Sequence, residues 1–408
     1  MMTLIAAGEA IFFLPFVVAR IFRPTVLDVF GLTNLQLGTA FSLYGIVAML
    51  SYFAGGPLAD RYSARRLMTS ALVATSAGGF IYAASPSLGV LTLLYGFWGM
   101  TTILLFWAAL IRATREWGGD ATQGRAFGFL DGGRGLFAAI LASLSVVVLA
   151  SLLPADVASA TLGERTAALN RIIWLFTALV LGVAALVWFI VPEPQLEQGD
   201  RSDTTTSFTL KGMRKVVSMR KVWLQAIIVI CAYVGYKSTD DFSLFASDAF
   251  GYDDVAAARI GTISFWIRPF AAMGAGLLAD RVSSSRVIVI SFGILIVGSL
   301  AISMGVLEPG IPWMFVAIVA GTSVGIYALR GIYFALFEEA HVPWKITGSA
   351  VGLVSVIGYT PDIFFGPLMG YLIDRSPGAL GHQHVFGVVA AFAIVGLVTT
   401  LVFRRIGR

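Results

Sequence analysis

Apolar runs close to twenty residues long recur along the whole chain, separated by short polar breaks. A helix of that length crosses the roughly 30 Å hydrocarbon core of a bilayer. Twelve runs stand out, at 3–22, 36–58, 67–84, 88–111, 124–152, 172–191, 222–247, 256–279, 287–306, 313–338, 347–373 and 385–403. Of the 408 residues, 58% are hydrophobic and only 12% charged, with a mean hydropathy of +0.85. A soluble domain carries about 25% charged residues. A chain with half that charge cannot wet a globule of this size, which excludes a soluble enzyme, a disordered chain and a disulfide scaffold. The expected fold class is an all-α membrane protein with twelve transmembrane helices. The single cysteine, Cys231, rules out an internal disulfide, and no Cys/His spacing points to a metal or redox centre. No cofactor, metal or nucleic-acid partner is expected. The first run, Leu4 to Val18, lacks a basic leader and contains Glu9, so it reads as a span rather than a signal peptide.

The longest polar stretch, Pro192 to Lys221, reads as a linker dividing a bundle at 1–191 from a bundle at 222–408. With both termini inside, and with Arg125 and Arg259 at the span ends counted with the loops they adjoin, 18 of the 28 Lys and Arg fall in inside loops and tail, 5 in outside loops and 5 within spans. The positive-inside rule then places both termini in the cytoplasm. An internal repeat supports the division. GPLADRYSARR at Gly56 to Arg66 and GLLADRVSSSR at Gly276 to Arg286 match at seven of eleven positions, after spans two and eight.

The doubled G-x-L-A-D-R motif, with six spans on each side of a basic central loop, resembles the major facilitator superfamily over essentially the whole chain. The segments RGIYFALFEE and VGLVSVIGYTPDIFFGPLMG are also similar to a group of bacterial permeases within it. The resemblance implies two pseudo-symmetric six-helix bundles and a gating role for the motif. An Asp at a cytoplasmic helix end meets a neighbouring helix N-terminus, while the following Arg pairs with an acid or lipid phosphate. Gly56, Asp60, Arg61, Gly276, Asp280 and Arg281 are thereby expected to form latches favouring the outward-facing state, the alternative being membrane anchoring by positive charge. Where the family usually has glycine three residues after the Asp, this chain has Ser63 and Ser283.

Charge within a bilayer costs a few kcal/mol, so intramembrane charges should face a cavity or a partner. The cores of spans three, six, nine and twelve contain no Asp, Glu, Lys or Arg. Charges fall in spans one, five, seven, eight, ten and eleven, the helices that line the cavity in the fold this chain resembles. At 1.5 Å per residue, Arg134, Arg268 and Asp362 lie near mid-membrane. Asp131 and Arg134 share a helix face and form either a neutral structural pair or part of a site. Arg268 has no acidic neighbour within a turn and is available to an anion or a distant carboxylate. Lys237 and Asp241, four residues apart, are expected to pair and leave Asp240 on another face, in a cluster that is either a solvated mouth or a substrate site. Arg330 and Tyr333 share a face toward the cavity. Arg20 either contributes to the site or snorkels outward.

The candidate substrate ligands are therefore Arg20, Arg134, Lys237, Arg268, Arg330 and Tyr333, and the candidate proton carriers are Glu9, Asp131, Asp240 and Asp362, since a desolvated carboxylate favours its neutral form. His341, His382 and His384 all fall in predicted loops, which argues against a histidine relay. Tyr44, Trp98, Trp107, Trp266 and Tyr333 each either stack on a ligand or pack against helices. The chain lacks a nucleotide-binding motif, and its intramembrane cations outnumber their obvious local partners. The expected function is a secondary transporter that moves a small organic anion by alternating access with protons as coupling ion, acting as a monomer in a bacterial cytoplasmic membrane. Two alternatives stand: an exporter of drugs or amphipathic compounds, and a non-transporting receptor or scaffold. Span five lacks the G-P dipeptide of the superfamily's drug antiporters, and a receptor would need more than a linker of some thirty residues outside the membrane.

Overall fold

A computed structural model describes residues 1–119, 123–193, 216–307, 311–343 and 347–406. Linker residues 194–215, Lys345, Arg408 and the side chain of Asp60 lie outside the described residues. All regular structure among the described residues is helical. The first six spans are α1, broken into Met2–Ala10 and Phe13–Ile21 with a bend of 43°, α2 (Asn34–Arg61), α3 (Ala64–Ala83), α4 (Leu88–Gly118), α5 (Gln123–Leu152) and α6 (Leu162–Ile190). The second six are α7 (Arg220–Phe250), α8 (Asp254–Arg281), α9 (Ser284–Ser303), α10 (Pro312–Glu339), α11 (Thr347–Gly358 and Pro361–Arg375) and α12 (Ala379–Ile406). Ten of these helices are long and apolar enough to cross a bilayer and bent α1 makes an eleventh. The twenty-residue α3 has the length of a span with a less apolar sequence, completing twelve.

Two expectations about boundaries need correction. Span six starts at Leu162, ten residues before the expected 172, because Thr161 and Glu164 form a capping box: the Glu164 backbone N–H donates to Thr161 Oγ1 at 3.3 Å and the Thr161 N–H to Glu164 Oε2 at 2.8 Å. Arg165 and Arg171 therefore lie in α6 rather than in a loop. His382 and His384 likewise lie in α12, which begins six residues before the expected 385.

The helices whose cores carry no charge form the outside. Phe80 on α3, Phe189 on α6, Val297 on α9 and Val398 on α12 are large, apolar and exposed, as lipid-facing side chains should be. The bundles meet along α2 against α11 and α5 against α8. Helices in lipid gain close packing from small residues. A Cβ on Gly38 would sit 2.2 Å from the Gly366 carbonyl oxygen, and one on Gly370 would sit 2.3 Å from that of Asn34. These glycines bring α2 and α11 to backbone contact in the half of the molecule away from the linker.

Four spans are irregular where they pass the centre, α4 through a π-helical stretch at Met100–Trp107. In α1, Pro15 has no N–H to donate, and a π-helical turn runs through Phe13–Val17. In α11, Pro361 cannot bond the Ile357 carbonyl, which instead accepts from the Thr360 N–H at 3.2 Å and the Thr360 hydroxyl at 2.7 Å, and the helix breaks at Tyr359. In α7, a 3-10 turn at Ser238–Asp241 redirects the chain. Discontinuous helices of this kind present backbone and side chains to a central site.

Candidate functional site

A cavity of about 110 Å³ lies between the bundles at these breaks. That is room for on the order of ten water molecules. Glu9 and Arg20 from α1, Arg134 from α5, Lys237 from α7, Arg268 from α8, Arg330 from α10 and Asp362 from α11 all reach its wall. Phe12, Phe16, Tyr44, Tyr52, Trp107, Tyr233, Tyr236 and Tyr359 supply the aromatic surface between the charges.

The charges form two networks and a remainder. In the first, Glu9 is shared by two arginines from different bundles: Arg268 donates to Oε1 at 3.0 Å and Arg134 Nε lies 3.2 Å from Oε2. Asp131 lies 3.9 Å from both guanidinium groups and its side chain is 57% exposed, so it is the outlying member. The local Asp131–Arg134 pair read from the spacing is thus secondary to a long-range pair. Arg134 also faces the rings of Trp107 and Phe12, at 5.6 and 5.8 Å.

In the second network Asp240 is the hub. Arg20 Nε donates to Oδ1 at 2.5 Å, Lys237 Nζ lies 2.9 Å from Oδ2, and Lys237 also lies 3.6 Å from Asp362. Asp362 accepts from the Tyr233 hydroxyl at 2.9 Å. The expected Lys237–Asp241 pair is not formed. The 3-10 turn has three residues per turn, so positions i and i+3 eclipse and Asp240 comes onto the face of Lys237, while Asp241 turns toward His382. Arg20 does not snorkel either; it is 4% exposed and bound to Asp240 and the Tyr236 hydroxyl, the latter at 3.0 Å.

Arg330 makes no ion pair among the described residues. Its guanidinium lies 3.8 Å from the Tyr236 ring centroid and 5.7 Å from that of Tyr233, and its buried Nη1 has no hydrogen-bond partner. A cation–π contact is worth about 0.5–2 kcal/mol and leaves the N–H donors unused. Tyr333 stands behind the wall rather than on it, with its hydroxyl 3.3 Å from that of Tyr359. Of the other aromatic candidates, Tyr44 and Trp107 line the cavity. Trp98 is buried and donates to the Thr75 carbonyl at 3.0 Å, and Trp266 donates to Ser143 at 2.8 Å across the α5–α8 seam.

Hydrogen bonds and ion pairs between the bundles run from the Asp131–Arg268 level to the end opposite the linker. Thr25 donates to Asp254 at 2.6 Å, and Ser42 to the Ile363 carbonyl at 2.6 Å. At the rim, the Asp374 carboxylate accepts the first free N–H groups of α2, from Asn34 at 3.0 Å and Leu35 at 2.8 Å. A carboxylate there satisfies orphan donors and meets the positive end of the helix dipole. Sequence reasoning missed this residue although the signal was present. Gly370-Tyr-Leu-Ile-Asp374-Arg375 is a third G-x-L-x-D-R, hidden by Ile at the position that holds Ala in the other two copies.

At the linker end none of the described side chains of the expected latches makes a hydrogen bond or ion pair to the opposite bundle, the Asp60 side chain lying outside the described residues. Asp280 and Arg281 are exposed, the glycines Gly56 and Gly276 have open space where a Cβ would stand, and Arg61 lies 5.8 Å from the Tyr62 ring of its own bundle. Ser63 and Ser283, which replace glycine, are the N-caps of α3 and α9: each hydroxyl accepts from the backbone three residues on, at 3.4 Å. Nearby, Glu193 accepts from Ser63 and pairs with Arg65 and Arg66, and Glu339 accepts from the Ser285 N–H at 2.9 Å.

Comparison with known proteins agrees with this architecture. The chain is 27% identical to the inner membrane protein YqcE of Escherichia coli over 92% of its length and 88% of that relative. It is 26% identical to the inner membrane protein YihN of the same organism, covering 98% and 94%. Among solved structures, a bacterial homolog of the human lysosomal transporter Spinster, in an inward-facing and unoccupied conformation, superposes with a TM-score of 0.77 at 14% identity, covering 99% and 96%. The model of the Major Facilitator Superfamily matches residues 5–359. Twelve helices in two bundles around a charged cavity, with that match over most of the length, establish that this chain belongs to the Major Facilitator Superfamily and is a membrane transporter, not an enzyme.

Proposed function

We propose that the protein carries a small organic anion by alternating access in symport with protons, as a monomer in a bacterial cytoplasmic membrane with both termini inside. Arg330 carries the reading. Five cations line the cavity, and four carboxylates balance them: Glu9 and Asp362 on the wall, Asp131 and Asp240 beside it. One positive charge is left over, and it belongs to the guanidinium without a carboxylate. A monoanion that binds Arg330 uses donors the protein leaves unbonded.

The shared carboxylate supplies the coupling. Glu9 occupies Arg134 and Arg268 as an internal anion. A proton on Glu9 weakens both contacts and makes two arginines available to the substrate, so proton and anion enter together. Asp362, held by Lys237 and the Tyr233 hydroxyl, is the second carboxylate that can accept a proton next to the ligand. With cytoplasmic termini the linker end faces the cytoplasm, the contacts at the opposite end seal the outside, and the conformation is inward-facing. Asp374 then acts as an outer latch, and the motif residues Asp60 with Arg61 and Asp280 with Arg281 act as inner latches that engage in the opposite state.

Screening purified protein for thermal stabilisation by small carboxylates, phosphates and sulfonates, followed by proteoliposome uptake with and without a proton gradient, tests this reading. Arg330→Ala is expected to weaken anion binding by about 2 kcal/mol, roughly thirty-fold. Stabilisation by apolar cations alone, or undiminished anion uptake by Arg330→Ala, would overturn the assignment in favour of export of amphipathic compounds.

A further inference from the structure

Away from the cavity, at the end opposite the linker, His382 is wholly buried between two carboxylates. Its Nδ1 lies 2.8 Å from Asp241 Oδ2 and its Nε2 lies 3.2 Å from Asp248 Oδ2. The His382 and Asp241 side chains have no exposure, while the Asp248 side chain is 33% exposed. A neutral imidazole has one N–H, so its other nitrogen would point a lone pair at a carboxylate. Both contacts become hydrogen bonds only when the cluster holds one proton more than a neutral imidazole and two carboxylates. The groups facing it are few. Asp241 and Asp248 come from α7, and the Phe245 ring lies with its centroid 4.9 Å from that of His382 and packs in turn against Phe386. From the first bundle, buried Arg23 sits within electrostatic reach of Asp241, Asp240 and Asp374. It spends two donors on Asn34 Oδ1, at 3.0 and 3.3 Å, and leaves Nη1 without a partner.

The position of Asp241 gives the proton a consequence. Asp240 and Asp241 are consecutive in the 3-10 turn, one bound to Arg20 of the first bundle and the other to His382 of the second. Ser243, two residues on, donates to the Arg20 carbonyl at 2.9 Å. Whatever holds Asp241 in place also holds Asp240 where Arg20 reaches it. We propose that His382, Asp241 and Asp248 form a proton-binding site separate from the central cavity, loaded through Asp248, whose proton stabilises the closure of this end of the molecule. By linkage, if the loaded cluster favours the closed end, opening that end lowers its proton affinity and raising the pH favours opening. The proposal builds on the transporter assignment and is independent of which substrate the cavity takes.

Two substrate-free measurements test it. Replacing the other two histidines, His341→Asn and His384→Asn, leaves His382 as the sole histidine for nitrogen-15 NMR in nanodiscs. Both ring nitrogens are expected to be protonated at pH 7, and Asp248→Asn should restore a single neutral tautomer at that pH. For the coupling, spin labels at Leu162→Cys and Met304→Cys, exposed positions in different bundles at this end, in a Cys231→Ser background, report opening. The long-distance fraction should rise several-fold between pH 6 and pH 9, and His382→Gln should abolish that response. A neutral imidazole at pH 7 would refute the site even if the Asp248→Asn and His382→Gln variants do not fold. An unchanged pH response in His382→Gln would refute its link to closure. Both readings are free of any anion, so failure of the proposed substrate class leaves them standing.

Discussion

The helix α2 ends in two different ways. Its N-terminus, at the end away from the linker, is capped by Asp374 of the other bundle, and Gly370 of the same bundle lies on the Asn34 backbone. Its C-terminus, at the linker end, carries one copy of the G-x-L-x-D-R pattern and is tied instead to its own bundle, where Arg112 donates to the Ala59 carbonyl at 2.7 Å. The three copies of that pattern end α2, α8 and α11. Of the two copies whose aspartate side chain is described, only the one on α11 touches the opposite bundle through it. Because α11 points away from the linker and α2 and α8 point toward it, the copies stand at opposite faces of the protein, and the α11 copy offers its carboxylate to the start of α2. The comparison teaches that the presence of the motif does not by itself place its aspartate against the opposite bundle.

The largest expected effect comes from forcing the engaged end apart. In Gly370→Val, side-chain atoms would meet the Asn34 and Leu35 backbone, which cannot yield without moving α2. Spin-label distances across that end should lengthen and substrate uptake should fall to background. Next is the buried hub. Asp240→Ala leaves Arg20 and Lys237 without their main partner and should cost about 3–5 kcal/mol. The melting temperature of the detergent-solubilised protein should drop accordingly, and the double variant with Arg20→Ala should recover part of the loss. Asp374→Asn keeps the shape and one acceptor but removes the charge at the helix start. A change of about 1 kcal/mol is expected, a several-fold loss of the closed population. Asp280→Asn is the control for the comparison. Its exposed carboxylate makes no hydrogen bond or ion pair to the other bundle among the described residues, so stability should stay within about 0.5 kcal/mol. An effect of Asp280→Asn equal to that of Asp374→Asn would show that the two ends are not separately latched.

Much of this arrangement was legible before the fold was known. Apolar runs located eleven spans to within a turn or so at most ends, and the doubled motif revealed the two-bundle plan. The rule that intramembrane charge seeks a cavity selected six helices whose charged residues converge on one wall. Pairing was legible only in part: the Asp131–Arg134 contact is present at 3.9 Å and the Lys237–Asp241 pair is not. Spacing suggested Lys237 with Asp241 and Asp131 with Arg134, since i, i+3 and i, i+4 neighbours are the only partners visible along a helix. The stronger partners, Glu9 for Arg134 and Arg268, and Asp240 for Arg20, come from other helices 125 to 259 positions away. His382 was lost for a related reason, because a polar start to α12 reads as a loop until Asp241 and Asp248 are seen to satisfy it.

The sequence by itself determined that the chain spans a membrane in two related halves, because the cost of burying polar backbone and charge in hydrocarbon acts locally, residue by residue and turn by turn. Which cation stands unpaired, which copy of the motif is engaged, and which histidine is buried were decided only by the tertiary structure. Those properties depend on distances between helices, and the energy of a charge in a low-dielectric interior is set by the partner a few ångströms away, whatever its place in the chain.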